Sequence, residues 1–380
     1  MTKAAELAKM GEVLTNSQIG GRRNIIINGA MQVAQRGTST TLAHDGTTDG
    51  YSPDRFRFTM GGTHEQLDGT VAQVADHPTS ANSKSLKWTT GTAESSYDAD
   101  EYVYIVQKIE AQNLQHLQYG NSNAEAITIS FYVKSSITGT YAFGLYKEDS
   151  TARIFNKTYT IDSANTWEKK TLTFVGDTDS GAGIVNDNGT GLYVSWHLSA
   201  GTNIKGGGSV GAWKNYSGLT DWADGQATNA IMTTASATFQ ITECQLEIGE
   251  QATPFEHRSF GEELGLCYRY YEQWDLFSGE NIWYGGALSG NPSCIMPFMY
   301  KKRAAPTVTI PSTGGSGSGD TVTFLAQTGS FPSTIGTISA SKISDRAFRL
   351  TSTGYSGITA SAAVILYSNG VGTMQFNAEL

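Results

Sequence analysis

Charge is scarce in this chain. Of its 380 residues, 16% are charged, against the roughly 25% of ordinary soluble domains, so ion-pair networks cannot carry its surface. The net charge of −9 argues against a protein that coats nucleic acid. The basic runs Arg22-Arg23 and Lys301-Lys302-Arg303 are too short to reverse that. Cysteine is scarcer still. Cys244, Cys267 and Cys294 are odd in number and match no metal-ligand spacing, and Cys244 sits in an alternating apolar stretch as a small buried hydrophobe would. No apolar run approaches the ~20 residues that span a bilayer, so no membrane insertion is expected. Met1-Thr2-Lys3-Ala4-Ala5-Glu6 lacks the apolar core of a secretory signal. The expectation is a chain made in a cytoplasm without need of disulfides.

Helical periodicity is the next deficit. Leu7, Met10 and Leu14 recur at helical steps with Glu6, Lys9 and Glu12 between them, which predicts one short helix over 3–14. So short a helix needs something to pack on. It is either a frayed tail or a peg that docks or trimerises. Helical spacing returns only at Glu262, Glu263, Leu264, Leu266 and Cys267, followed by the aromatic cluster Tyr268, Tyr270, Tyr271 and Trp274. No repeat period appears, which speaks against the long β-helix of a polysaccharide depolymerase.

Glycine is abundant instead, at 43 residues, and serine and threonine crowd almost every segment. That blend suits short strands joined by turns. Asn24-Ile25-Ile26-Ile27-Asn28-Gly29 reads as an opening strand. Ile127 to Lys134 alternates cleanly, with Ile127, Ile129, Phe131 and Val133 on one face. Tyr141–Tyr146, Trp167–Phe174, Leu192–Leu198 and Ala237–Ile241 follow. Beyond the junction, strands are expected near 294–300, 306–311, 321–326, 335–340, 346–352 and 361–376, with a flexible loop over 313–320. The fold class is all-β, a sandwich or barrel.

Two catalytic patterns coincide by composition. Gly207-Gly208-Ser209-Val210-Gly211 matches a nucleophile elbow, and Gly206, Gly208 and Gly211 match a dinucleotide fingerprint. Both need a helix next, and Ala212-Trp213-Lys214-Asn215-Tyr216 has no helical spacing. Asp177-Thr178-Asp179-Ser180-Gly181 begins like a calcium loop, but Asn188 stands where the bidentate Glu belongs. His257 has no nucleophile to serve. No enzyme activity is expected.

Three segments carry a resemblance. Asn24 to Ser39, beginning Asn24-Ile25-Ile26-Ile27-Asn28-Gly29-Ala30-Met31-Gln32, resembles a recurrent segment of phage tail-fibre and receptor-binding proteins. Tyr51-Ser52-Pro53-Asp54-Arg55-Phe56 is similar to the family's Asp-Arg-aromatic motif. Gln245 to Leu264, with Thr253-Pro254-Phe255-Glu256-His257-Arg258 at its centre, resembles the closing signature, and Cys267-Tyr268-Arg269-Tyr270-Tyr271 follows in the typical way. Arg303-Ala304-Ala305-Pro306-Thr307-Val308 resembles the entry to a fibre's last domain.

The resemblance implies a carbohydrate-binding-module-like jelly-roll β-sandwich followed by a smaller β-rich C-terminal domain. The expected domains are 1–23 as the docking or trimerisation segment, 24–258 as the jelly roll, and 259–380 as the C-terminal part. It further implies a virion protein on a phage tail or capsid surface. Such a chain would be a homotrimer that meets other phage virion proteins and a host surface glycan. A capsid-decorating head fibre, or a tail adaptor or baseplate protein without receptor contact, remains the alternative. A structural calcium is implied at Asn28, Gly29 and Glu243, although Ala30 stands where relatives often place an acid; otherwise Glu243 is an outward-facing strand residue. Asp54 and Arg55 are expected to brace a loop.

For the glycan, the aromatic loop draws attention. Trp213, Tyr216 and Trp222 lie among Gly, Ser, Asn and Asp, and aromatic faces flanked by polar groups suit sugar rings. The other reading is that these rings cover the edge of the core. Trp283 and Tyr284 form a rival surface in the C-terminal part.

Overall fold

The computed structural model describes residues 23–380 apart from 47, 80–82, 207, 209, 289–290, 312–321, 327–336, 355–357 and 359–360; of the first 22 residues it describes Lys3 alone. The helix expected over 3–14 therefore lies, but for Lys3, outside the described residues, as does the loop over 313–320. The chain divides into two compact units, Met1–Phe260 and Gly261–Leu380.

The first unit is built from strands β1 (Ser39–Ala43), β2 (Asp49–Tyr51), β3 (Arg57–Gly61), β4 (Asp68–Val74), β5 (Ser85–Thr90), β6 (Tyr102–Glu110), β7 (Ile127–Ser135), β8 (Gly139–Lys147), β9 (Arg153–Ile161), β10 (Glu168–Phe174), β11 (Thr190–Ala200), β12 (Lys214–Asn215) and β13 (Thr238–Ile248). One antiparallel sheet runs β1-β4-β5-β13-β7-β10, the other β12-β9-β8-β11-β6-β3-β2. Neighbours in each sheet are mostly distant in sequence, as in a jelly-roll sandwich.

Strand alternation turns one side of each sheet inward. Ile127, Ile129, Phe131 and Val133 of β7 are fully buried, as are Phe143 of β8 and Trp196 of β11. Across the layers Phe131 stands edge-on to Trp196 at 5.8 Å, and Phe58 of β3 stacks on Trp88 of β5 at 4.5 Å. Each large apolar side chain removed from water contributes about 1.5–3 kcal/mol, and this core is what closes the sandwich.

The opening segment differs from its expected form. Asn24–Gly29 is not a strand but a series of bends, because side chains satisfy its backbone. The Asn24 carboxamide accepts N–H bonds from Ile26 and Leu246 and donates to the Cys244 carbonyl. Gln107 bonds both the N–H and the carbonyl of Ile27. Gly29 lies so close to β13 that a Cβ there would sit 2.1 Å from the Cys244 carbonyl oxygen. β13 bulges at this point, between Thr242 and Gln245, and Glu243 takes a left-handed φ of 48°.

In the second unit, helix α1 (Phe260–Tyr268) leads to β14 (Tyr271–Leu276), β15 (Glu280–Leu288), β16 (Asn291–Pro297), β17 (Thr307–Thr309), β18 (Val322–Ala326), β19 (Thr337–Ser341), β20 (Ala347–Thr353), β21 (Ala363–Ser368) and β22 (Gly372–Asn377). The sheets run β14-β22-β17 and β18-β21-β15-β16-β20-β19. The single strand expected over 361–376 is two, separated by a turn around Asn369-Gly370. Phe298, Phe324, Phe348, Leu366 and Phe376 form the core. Tyr270 and Tyr271 are buried within this unit, and Trp274 packs on Phe376 at 4.8 Å. Tyr270 and Tyr271 are thus buried residues of this unit, and Trp274 packs half-buried against its core. Lys302 and Glu272 pair where neither side chain is exposed.

Candidate functional site

β6 reads Tyr102-Val103-Tyr104-Ile105. Val103 and Ile105 are buried in the sandwich, so Tyr102 and Tyr104 must leave by the opposite face of the seven-stranded sheet. β11 pairs His197 with Tyr104 and Tyr193 with Lys108. β8 pairs Tyr146 with Tyr193. Four tyrosines from three adjacent strands therefore share one outer face, each half-buried. Tyr102 lies across β3 because residue 61 is glycine: a Cβ there would come within 2.2 Å of the ring.

The long connection from β11 to β13 folds back over part of this face. It places Ile204, Trp222 and Ala223 against Ile154 and Ala200 in a small separate core. Trp222 is 6% exposed and meets Tyr146 at 5.3 Å, Tyr104 at 5.5 Å and His197 at 6.0 Å, all edge-on. Tyr216 joins from the same connection, 4.7 Å from Tyr146. Lys214 holds the fold-back in place by pairing with Asp221 at 2.7 Å and with Asp224. Asp221 also accepts bonds from the N–H and hydroxyl of Ser217, and Asn156 of β9 donates to the Asp221 carbonyl.

The phenols on this face are neutral. Burial pushes Tyr104 up to about 12 and Tyr216 to about 12. Tyr193 is raised too, first by burial and then by its bond to Glu148, to which its hydroxyl donates at 2.8 Å. Lys108 lies over the Tyr193 ring at 4.7 Å. The face offers aromatic planes, hydroxyls that both donate and accept, and a carboxylate and an ammonium at its margin. Such a surface can pack on the CH faces of a sugar and bond its hydroxyls.

The three loop aromatics singled out from sequence do not form one platform. Trp213 turns the other way: its ring meets Phe155 at 5.5 Å and Tyr119 at 5.6 Å, and its indole N–H donates to the Val175 carbonyl at 2.8 Å. It covers the edge of the main core. Trp222 belongs to the tyrosine face but is buried among its rings, and Tyr216 is half-buried beside it. The glycine-rich pattern around Gly208 is followed by β12 and not by a helix. Trp283 and Tyr284 are 38% and 67% exposed. They are neighbours on β15, and the register shift in its pairing to β21 falls just before Trp283.

Asn28, Gly29 and Glu243 do not offer calcium the convergent oxygens it takes. The Asn28 amide oxygen accepts the Val33 N–H, and its amide nitrogen donates to the carbonyls of Val33 and Asp54. The Glu243 carboxylate meets His77 Nε2 at 3.2 Å. Asp54 and Arg55 are both buried. Asp54 takes the N–H and side chain of Gln35, and Arg55 donates to the Lys108 carbonyl. The opening and middle motifs thus form one polar network. The closing motif clamps the other side: Glu256 accepts the N–H groups of Asn24 at 2.9 Å and Arg23 at 3.2 Å, and Arg258 donates to the carbonyls of Asn24 and Ile26.

Neither a protein-family model nor a curated protein matches the chain. Among solved structures, it is similar to the enzymatically active domain of tailspike protein 4 from bacteriophage CBA120, with 12% identity and a TM-score of 0.31 over 60% of this chain and 21% of that one. It is similar to a CBM4 structure, with 11% identity and a TM-score of 0.29 over 58% of this chain and 98% of that one. The family 11 carbohydrate-binding module of a Clostridium thermocellum cellulosomal cellulase gives 11% identity and a TM-score of 0.26, over 60% and 99%. The chain thus spans about a fifth of the tailspike's length. With scores of this size, the jelly-roll description rests on the sheets themselves.

Proposed function

We propose that the chain is a non-catalytic, tail-fibre-like virion protein of a phage that binds host surface glycan on the outer face of its seven-stranded sheet. The observation that carries the reading is the convergence of Tyr104, Tyr146, Tyr193 and Tyr216 on buried Trp222, with Tyr102 stacked on Tyr104. Aromatic side chains are ordinarily spent on the core, and here a set of neutral phenols is left half-exposed on one face with polar groups around it. The three sequence motifs support the virion placement and the homotrimer, in which several weak sites would act with avidity. The reading is a non-catalytic one, supported by the neutral phenols of the face, with the Glu148 carboxylate engaged by the Tyr193 hydroxyl at its margin.

An array of bacterial surface polysaccharides, probed with the purified chain and with Tyr146→Ala, tests it. Wild-type protein retains a subset of the glycans, the variant loses them, and incubation releases no reducing ends. Retention of the same glycans by the variant would remove this face as the site. Release of reducing ends would remove the non-catalytic assignment.

A further inference from the structure

Outside the tyrosine face, three buried ionisable side chains of the first unit meet. His64 follows β3, Glu94 follows β5 and Glu101 precedes β6. Their side chains are 3%, 1% and 2% exposed. His64 Nδ1 lies 3.2 Å from Glu94 Oε1 and 3.4 Å from Glu101 Oε1, and the three atoms all fall within 4.8 Å of one another. Neither ring nitrogen of His64 completes a well-aligned hydrogen bond among the described residues, and both carboxylate oxygens approach the same nitrogen, Nδ1.

The carboxylates are held in that position by backbone. Glu94 accepts the N–H of Leu67 on Oε1 at 3.1 Å and that of Gln66 on Oε2 at 3.3 Å. Glu101 accepts the N–H of Asp98 on Oε2 at 3.0 Å, leaving Oε1 turned to the imidazole. The separations suit a small cation. Bonds of about 2.0–2.2 Å to nitrogen and oxygen in a tetrahedron put neighbouring ligand atoms about 3.3–3.5 Å apart.

We propose that His64, Glu94 and Glu101 form a binding site for a divalent transition-metal ion of the zinc class, ligated through Nδ1 and two carboxylate oxygens. An imidazole donor with only two carboxylates favours zinc over calcium, which takes six to eight oxygens. The ion pins the segment after β3 to the start of β6, one residue before Tyr102. The site stands apart from the glycan reading, and its test does not use glycan.

Full-length protein stripped with a chelator and titrated with Zn²⁺ by calorimetry tests the site. Saturable uptake of one ion per chain is expected, with a higher melting temperature. His64→Asn and Glu101→Gln weaken uptake by at least about 100-fold, beyond the loss usual for an outer-shell change, and His77→Ala leaves it unchanged. X-ray absorption on the zinc-loaded wild type needs no variant and is expected to give one imidazole and otherwise oxygen neighbours. No stoichiometric zinc, a sulfur shell from the three cysteines, or loss in His77→Ala with retention in His64→Asn would each overturn the site.

Discussion

Trp222 stands edge-on to Tyr146, their ring centroids 5.3 Å apart at 68°, and the tryptophan is buried while the tyrosine is only half so. The larger ring therefore packs the aromatic face together and is not its contact surface. Emptying such a site costs about 3–5 kcal/mol. Trp222→Ala is expected to lower the urea midpoint accordingly and also to abolish glycan binding by the molecules that remain folded, because Tyr104, Tyr146 and Tyr193 lose the ring they pack against.

Trp213 separates the two roles. Its ring packs on Phe155 and Tyr119, on the other side of the β9 edge. Trp213→Ala should destabilise by a similar amount, about 3–5 kcal/mol, and leave the affinity of the folded protein for its glycan unchanged. Affinity measured well below the melting temperature, alongside unfolding, checks this.

His197 sets a pH dependence. Burial holds its imidazole at about 3, well below the ordinary 6.5 or so. In the unfolded chain it takes a proton near pH 6.5; in the folded chain it does not until near pH 3. Between those values the unfolded state binds more protons, so the His197 contribution is intact above pH 6.5 and is lost as the pH falls. The slope from this one group reaches at most about 1.4 kcal/mol per pH unit. Urea midpoints from pH 7 to 4 should fall more steeply for the wild type than for His197→Gln.

Glu256 tests the clamp on the opening segment. It accepts two backbone N–H groups, from Arg23 and Asn24. Hydrogen bonds to a charged group contribute about 1.5–3 kcal/mol, so Glu256→Ala is expected to cost at least that much in unfolding free energy. Hydrogen exchange should speed up at Ile25 and Ile26 before it does in β7.

Much of this architecture was legible as strand alternation, because Ile127, Ile129, Phe131 and Val133 announce a face by themselves. The shorter strands β1 to β5 were not, since Ser39–Ala43 and Asp68–Val74 carry few apolar residues, and the longer β6, β9 and β15 were not marked either. The opening segment misled for a physical reason: three consecutive isoleucines suggest a strand, but Asn24 and Gln107 side chains take the bonds that a neighbouring strand would. The site was half legible. Trp222 and Tyr216 stood out in a polar loop, and only the fold separates them from Trp213. Tyr146 and Tyr193 passed as ordinary strand residues, and Tyr102 and Tyr104 lie in β6, a strand that the sequence reading did not mark. The available signal was large apolar or aromatic side chains at both parities of one strand, as in Tyr102-Val103-Tyr104-Ile105, where Val103 and Ile105 fill the buried face and the tyrosines need another.

The central claim is that half-buried tyrosines, not buried tryptophans, meet the glycan. Calorimetric titration of a bound surface polysaccharide into Tyr193→Ala/Tyr216→Ala, with thermal unfolding of the same samples, tests it most directly. The account predicts binding weakened at least tenfold, a loss of about 1.4 kcal/mol or more, with the sandwich still folded. Unchanged affinity in a folded double variant would contradict it.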